Sequence, residues 1–432
     1  MMPSTLHERP DDALLDALQR AAFEYFVSAV NPANGLIADT SRASSPSSIA
    51  AVGFALSAYP VAVEHGWMTR ADAVERSVAV LRFFRDSDQS GGPDATGYKG
   101  FYYHFLDQRT GARVWRSELS MIDTALLLAG ALVARMYFSA DSPAEIELRE
   151  IAEALYLRVD WRWSQGGAAT IRQGWKPECG YLHYGWDGYN EAIILYVLAM
   201  GSPTHPISDD CYDAWTATYQ WEDLYGYEFL FAGPLFVHQY SHAWIDFRGI
   251  QDSFMREKGC DYFENSRRAT HVQREYALRN PGGFAAYGED CWGITAGDGP
   301  SDEIAAITNE PRRLFGYAAR GVPYGPDDGT LAGSAALASL PFAPRIVLRA
   351  VREMCRRFPE MLSAGQYASG FNPSLAAGGG PAWVSPGKIG LDQGIVLMMI
   401  ENHRTEMIWK LMRGCPHIRN GLRRTGFRGG WL

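Results

Sequence analysis

The sequence predicts an all-α protein, an (α/α)6 toroid (barrel) whose long loops form a cleft at one end. Three observations predict it. Apolar residues recur with helical spacing along most of the chain, giving about a dozen helices and little strand. Amphipathic charged segments (70–86, 144–158) alternate with nearly all-apolar ones (47–59, 125–134, 192–200), as an outer ring of helices around a buried inner ring requires. No low-complexity linker interrupts the 432 residues, so residues 1–432 read as a single domain, with 1–12 as a flexible N-terminal extension.

The elements follow in order. Periodicity places helices over 14–29, 47–64, 70–86, 117–138 and 144–158, then over 189–200, 209–219, 235–247 and 260–278. The series closes with 331–339, 344–357 and 391–413, the last broken near His403. Ser117 and Thr69 stand where N-caps belong, and Pro143 and Pro344 where first-turn prolines belong. Gly66 and Gly201 read as C-terminal glycines. The stretch FYYHFLDQRTGARV, 101–114, reads as a hairpin around Thr110-Gly111, and AAGGG, 376–380, as a flexible loop.

Composition narrows the function classes. A net charge of -9 with a pI of about 5.6 argues against a nucleic-acid partner, which needs a basic patch. No apolar run reaches the length that spans a bilayer, so no membrane insertion is expected. The six cysteines form no CxxC pair and read as scattered buried thiols of a reducing compartment. MMPSTLHERPDD lacks a signal-peptide pattern, so the expectation is cytoplasmic as the sequence stands, or periplasmic or secreted if a leader has been removed. Thirteen Trp and 22 Tyr gather in loop-like stretches, and flat rings with polar edges suit sugar faces as well as cores.

Four constellations of polar residues need explaining. In GWDGYNEAIILYVLAMGSPTHP, 185–206, Asp187, Asn190 and Glu191 precede a helix with no polar face. They are either caps favoured by the helix dipole or a working acid, and an acid here needs burial against Trp186, Tyr189 and Tyr196, or a second carboxylate, to raise its pKa. In ELSMIDT, 118–124, the two carboxylates stand about 140° apart around a helix, so either Asp123, with Ser120 a turn before it, lines a cavity while Glu118 caps the helix start, or neither faces a site. In HQYSHAWIDFRG, 238–249, His238, His242 and Asp246 recur at i, i+4, i+8 with Gln239 beside them. That face is a polar stripe toward sugar hydroxyls or a satisfied core network; HExxH and a second ligand cluster are absent, so no metal or cofactor is expected. In IGLDQGIVLMMIENHRTEMIW, 389–409, Asp392 opens another apolar helix and Glu401 lies near its far end, again as cap and solvated charge or as site residues. Two inner helices, each with a carboxylate at the mouth, are what a glycosidase needs.

SELSMIDTALLLAGAL, GWDGYNEAIILYVLAMGSPTHP, PLFVHQYSHAWIDFRG, the NS of Asn265-Ser266, WGITAGDGP at Trp292 and IGLDQG...IEN together resemble the bacterial glucoamylase-like hydrolases. These include glycoside hydrolase family 144, the β-1,2-glucan-degrading enzymes. The motifs keep their order from Leu14 to Gly421. The resemblance implies an (α/α)6 fold, β-1,2-glucan or sophoro-oligosaccharide substrates, and anomeric inversion. It places the general acid at Glu191 and the base at Asp392, the latter acting directly or through a substrate hydroxyl. Asp123, Trp186, Asp187, Tyr189, Gln239, His242, Asp246, Arg248, Trp292 and Glu401 are the expected sugar contacts. Asn190 stands where serine is common. Three other readings stay open: a retaining transglycosylase on β-1,2-glucans, a polysaccharide lyase using His238, His242, Tyr240 and Arg248, and a non-catalytic sugar-binding protein.

Overall fold

The computed structural model describes residues 6–307, 310–376 and 381–432. It is rich in helix, with small antiparallel sheets between the helices. Of the expected loop 376–380, all but Ala376 lies outside the described residues. The chain divides into two compact units, one built from Phe26–Gln220, Ser241–Tyr262 and Glu406–Leu432. The other comprises the segment ending at Tyr25 with Trp221–Tyr240 and Phe263–Thr405.

The first unit carries three helices without a solvent face. Every residue is buried from Ile49 to Ala62, from Met121 to Ala134 and from Ile193 to Gly201. Beside them run amphipathic helices, Arg70–Asp86 and Pro143–Arg158, which bury one apolar stripe each. The alternation read from the sequence is present here. Two glycines let the helices Ile49–Glu64 and Met121–Tyr137 cross almost backbone to backbone. A Cβ on Gly53 would stand 2.2 Å from the Leu126 carbonyl oxygen, and one on Gly130 2.0 Å from that of Gly53. No larger residue fits such a crossing.

The starts of these two helices are tied to one strand segment. Ser47–Ser48 pairs with Phe105–Leu106, and Leu119–Ser120 pairs with Tyr102 and Tyr103. Leu119–Ser120 is also the central strand of a five-stranded antiparallel sheet that includes Gly97–Tyr98, Phe101–Tyr103, Gly174–Lys176 and Gly180–Tyr181. The expected 101–114 hairpin survives as a Leu106–Arg113 bridge; its remaining strand pairs go to these neighbours. Ser48 and Ser120 are the caps, accepting from the Ala51 and Asp123 amides at 3.4 and 3.2 Å. The expected cap Ser117 instead sits ahead of the strand, because 119–120 is extended. Thr69 caps as expected, accepting from Asp72 N at 3.1 Å. Gly66 takes the left-handed conformation (φ +67°) that follows a helix end. Gly201 ends its helix for another reason: a Cβ there would meet the His417 carbonyl oxygen at 2.4 Å. Its neighbour, the helix Pro416–Arg424, has no counterpart among the expected elements.

In the second unit a wholly buried Arg320–Asp328 pair (Nε to Oδ1 2.8 Å) organises the loop that follows 296. Arg320 also donates to the carbonyls of Gly297, Phe315 and Gly316, so the buried charge is fully engaged. The helix Gly390–Arg404 is buried from Ile395 to Asn402 and is separated from Met407–Arg413 by Thr405 and Glu406, close to the expected break. Residues 6–12 are structured, unlike the expected extension. Leu6–Glu8 forms a 3-10 turn, His7 O accepts from Arg352 Nη1 at 2.7 Å, and the helix Asp11–Ser28 follows.

No helix among the described residues is long and apolar enough to cross a membrane.

Candidate active site

The loop ahead of helix Ile193–Gly201 is fixed residue by residue. Asp187 accepts from Thr170 Oγ1 at 2.9 Å. Gly188, at φ +71°, is held through both backbone groups: its N–H donates to Thr218 Oγ1 (2.6 Å) and its carbonyl accepts from Trp215 Nε1 (2.7 Å). Asn190 closes a side-chain turn, accepting from Ala192 N at 3.1 Å and donating to Gly188 O at 3.0 Å. The ring of Tyr189 packs against Tyr262 and Tyr219, and Tyr196 stacks on Trp215 at 4.3 Å with its hydroxyl donating to Trp186 O.

Glu191 is therefore not a cap. The helix begins at Ile193, and its N-cap position, Ala192, has no side chain able to serve. The hydroxyl of Ser241 takes over the task from outside. It accepts from Ile194 N at 3.1 Å and donates to Glu191 O at 2.7 Å. With its backbone pinned, Glu191 presents a carboxyl group that keeps part of its surface open while surrounded by protein. Burial, and secondly the charge of Asp123, push that carboxyl up to about 7 against the pull of a backbone hydrogen bond. Of the two readings that spacing left open, the geometry removes a capping role for the Glu191 side chain and is compatible with the acid.

Asp123 stands in the first turn of Met121–Tyr137 and is 6% exposed. Its Oδ2 accepts from the hydroxyl of its own cap, Ser120, at 2.5 Å, and lies 3.5 Å from His104 Nε2. The other ring nitrogen, Nδ1, is 2.8 Å from Glu118 Oε1. Burial opposes a charge on His104, but Asp123 and Glu118 outweigh it, and its pKa is raised to about 9. Although burial works against ionisation of Glu118, the hydrogen bond from His104 holds its pKa low. Glu118 is thus the partner of a charged imidazole and not the helix cap that the sequence suggested, since the helix starts three residues later. The result is an ordered set of charges: Glu118 and Asp123 around a cation, with Glu191 close enough to feel Asp123. Nothing in the spacing of 104, 118, 123 and 191 announced this. The only signal was a histidine amid aromatics in FYYHF.

The third constellation is a structural network. The expected helix 235–247 is broken into a 3-10 turn, Leu235–His238, and a short helix, Tyr240–Trp244, with Gln239 at φ -121° between them. His238, His242 and Asp246 therefore share no continuous face. The Asp246 carboxylate has no exposed surface and is held by Arg248 (2.8 Å) and Arg413. Arg248 lies over the Trp409 ring at 4.5 Å and also pairs with Glu406 at 2.9 Å. His242 is 1% exposed against Phe247, its carbonyl taking the Trp409 indole at 2.6 Å. Gln239 is equally buried and donates to Ala335 O and Ser339 Oγ. Of the expected sugar contacts in this stretch, Gln239, Asp246 and Arg248 have protein partners for their side chains, and His242 is buried.

Two further expected contacts are also buried. Trp292 has no exposed surface. Glu401, 1% exposed, accepts from Gln19 Nε2 at 2.8 Å and Thr405 Oγ1 at 2.5 Å. Asp392 is different. It occupies the first turn of Gly390–Arg404 and is 8% exposed, while the N-cap is Ile389, so the capping alternative does not hold. Glu191, Asp123, Trp186, Asp187 and Tyr189 belong to the first unit, and Asp392 to the second.

A family model described as "Putative glucoamylase" matches residues 183–416 of the chain. The chain belongs to this family. The match takes in Glu191 and Asp392 and begins after His104 and Asp123. Among glucoamylase-like proteins, the chain is 27% identical over 457 residues to the exo-β-1,2-glucooligosaccharide sophorohydrolase (non-reducing end) of Parabacteroides distasonis. That alignment covers 98% of this chain and 59% of the relative's length. A solved structure of the same family description, from Bacteroides uniformis, superposes with a TM-score of 0.87 at 30% identity, covering 98% of this chain and 99% of that one. An endo-β-1,2-glucanase from Chitinophaga pinensis, solved with sophorotriose and glucose, gives a TM-score of 0.83 at 25% identity over 98% and 100% of the two chains.

Proposed function

We propose that the chain is a glycoside hydrolase of β-1,2-glucan or sophoro-oligosaccharides, working with anomeric inversion on an (α/α)6 toroid. The observation that carries the reading is Glu191: a carboxyl group on a pinned loop, half-buried and within the influence of the Asp123 charge, with a pKa raised to about 7. Such a group holds its proton near neutrality and can deliver it to a glycosidic oxygen as the bond to the anomeric carbon breaks. Water then attacks that carbon from the opposite face, and a carboxylate takes the water's proton. Asp392 is the proposed base, acting directly or through a substrate hydroxyl. The linkage is supported by the two relatives whose names specify β-1,2-glucans. The toroid is supported by the alternation of fully buried and amphipathic helices.

The direct test is Glu191→Gln, assayed for release of reducing sugar from β-1,2-glucan, with circular dichroism to verify the fold. Loss of a general acid costs roughly 100- to 10,000-fold in turnover. A variant that keeps most of its activity contradicts the assignment.

A second reading, retention through a covalent glycosyl-enzyme, has one observation in its favour: Asp123 is near enough to act on Glu191 electrostatically. Retaining enzymes need a carboxylate close to the acid. Against it, the Asp123 carboxylate is already engaged by Ser120 and His104, which dampen its nucleophilicity.

A further inference from the structure

Trp115 is 69% exposed, among the largest exposed apolar side chains of the described residues. It sits in a tight turn, with Ser117 N donating to Val114 O at 3.0 Å. Both central residues of that turn, Trp115 (φ 56°) and Arg116 (φ 50°), are in the left-handed region. Sequences that build such a turn normally place Asn-Gly there, because glycine lacks a Cβ and asparagine tolerates positive φ, whereas Trp and Arg are strained there. Here the strain is retained and locked from both sides. The Arg113 guanidinium, 1% exposed and lying over the Tyr103 ring, donates to Ser117 O at 2.6 Å and pairs with Glu178 through both carboxylate oxygens, at 2.8 and 3.1 Å. Val114 N donates to Phe105 O at 3.1 Å. A strained conformation that its surroundings over-determine points to a use for what it displays.

What it displays adjoins the charged residues around Asp123. The Trp115 ring packs on Phe105 (centroids 5.1 Å apart), and Phe105 stacks on His104 at 3.9 Å and 13°. His104 holds Asp123, whose charge acts on Glu191. We propose that Trp115 is a sugar-stacking platform, a remote subsite on which the indole face meets the apolar face of a glucosyl residue away from the bond being cleaved. The ligand class is a neutral gluco-oligosaccharide, since the platform offers a flat apolar surface. This inference rests on the function proposed above.

The test is calorimetric binding of a length series of β-1,2-gluco-oligosaccharides, with β-1,3- and β-1,4-linked series alongside, to Glu191→Gln and to Glu191→Gln carrying Trp115→Ala, Trp115→Phe or Trp115→Gly. Trp115→Ala is expected to weaken binding by roughly three- to tenfold for long chains, with the loss growing from the disaccharide upward. Trp115→Phe should recover part of it. Trp115→Gly should bind long chains as weakly as the alanine variant while melting at a higher temperature, because glycine relieves the left-handed strain. Equal affinity of Trp115→Ala and its parent at every length overturns the platform and leaves the hydrolase reading intact. If Glu191→Gln binds none of the three series, the functional reading fails and takes the platform with it.

Discussion

A carboxylic acid that gives up a proton at neutral pH must be prevented from losing it beforehand. Glu191 is prevented by burial and by the negative charge of Asp123, which His104 and Ser120 hold in place. The sign of the pH dependence follows: only the protonated acid is productive, so kcat/KM falls as pH rises through about 7. Asp123→Asn removes one of the influences that raise this pKa, so the falling limb of the pH–rate profile should move to lower pH. An unmoved limb contradicts the coupling. The position of Glu191 was conspicuous in the sequence, one carboxylate standing between a glycine-rich turn and an apolar helix. Its electrostatic support was not, because His104, Glu118 and Asp123 meet only through the pairing of strands 101–103 and 119–120. Gln239, His242, Asp246 and Arg248 illustrate the opposite difficulty. Polar residues at helical spacing look alike whether they face a ligand or one another, and only a fold shows that two arginines already claim the Asp246 carboxylate.

At the scale of elements, the sequence carried helix existence better than helix starts. Arg70–Asp86 matches the expected span, since a polar cap and an amphipathic pattern agree there. The helix that carries Asp123 starts later than expected, because strand pairing claimed Leu119–Ser120 and passed the cap from Ser117 to Ser120. Leu235–Phe247 broke at Gln239, whose side chain bonds to backbone and hydroxyl groups elsewhere in its own unit. What no periodicity could reveal is the crossing at Gly53 and Gly130, which fixes two helix starts side by side and so positions Asp123. Gly130→Ala places a methyl group against the Gly53 carbonyl and should destabilise the protein by about 1–3 kcal/mol, read by urea unfolding. Activity should fall as well, since separating the helices displaces Asp123. An unchanged unfolding midpoint contradicts the close crossing.

For the molecule as a whole, composition and rhythm together narrowed the reading more than any single motif. The acidic balance argued against nucleic acid. The alternation of buried and amphipathic helices underlies the proposed toroid, and the order of motifs pointed to the family to which the chain belongs. The central proposal is that this chain hydrolyses β-1,2-linked glucose chains with inversion. It is tested most directly by proton NMR of the enzyme with β-1,2-gluco-oligosaccharides, following the anomer released in the first minutes, before mutarotation mixes the signals. The expected product is the α-anomer, with no chains longer than the substrate. A β-anomer, or elongated products, would contradict it and transfer the second carboxylate's role from a base to a nucleophile.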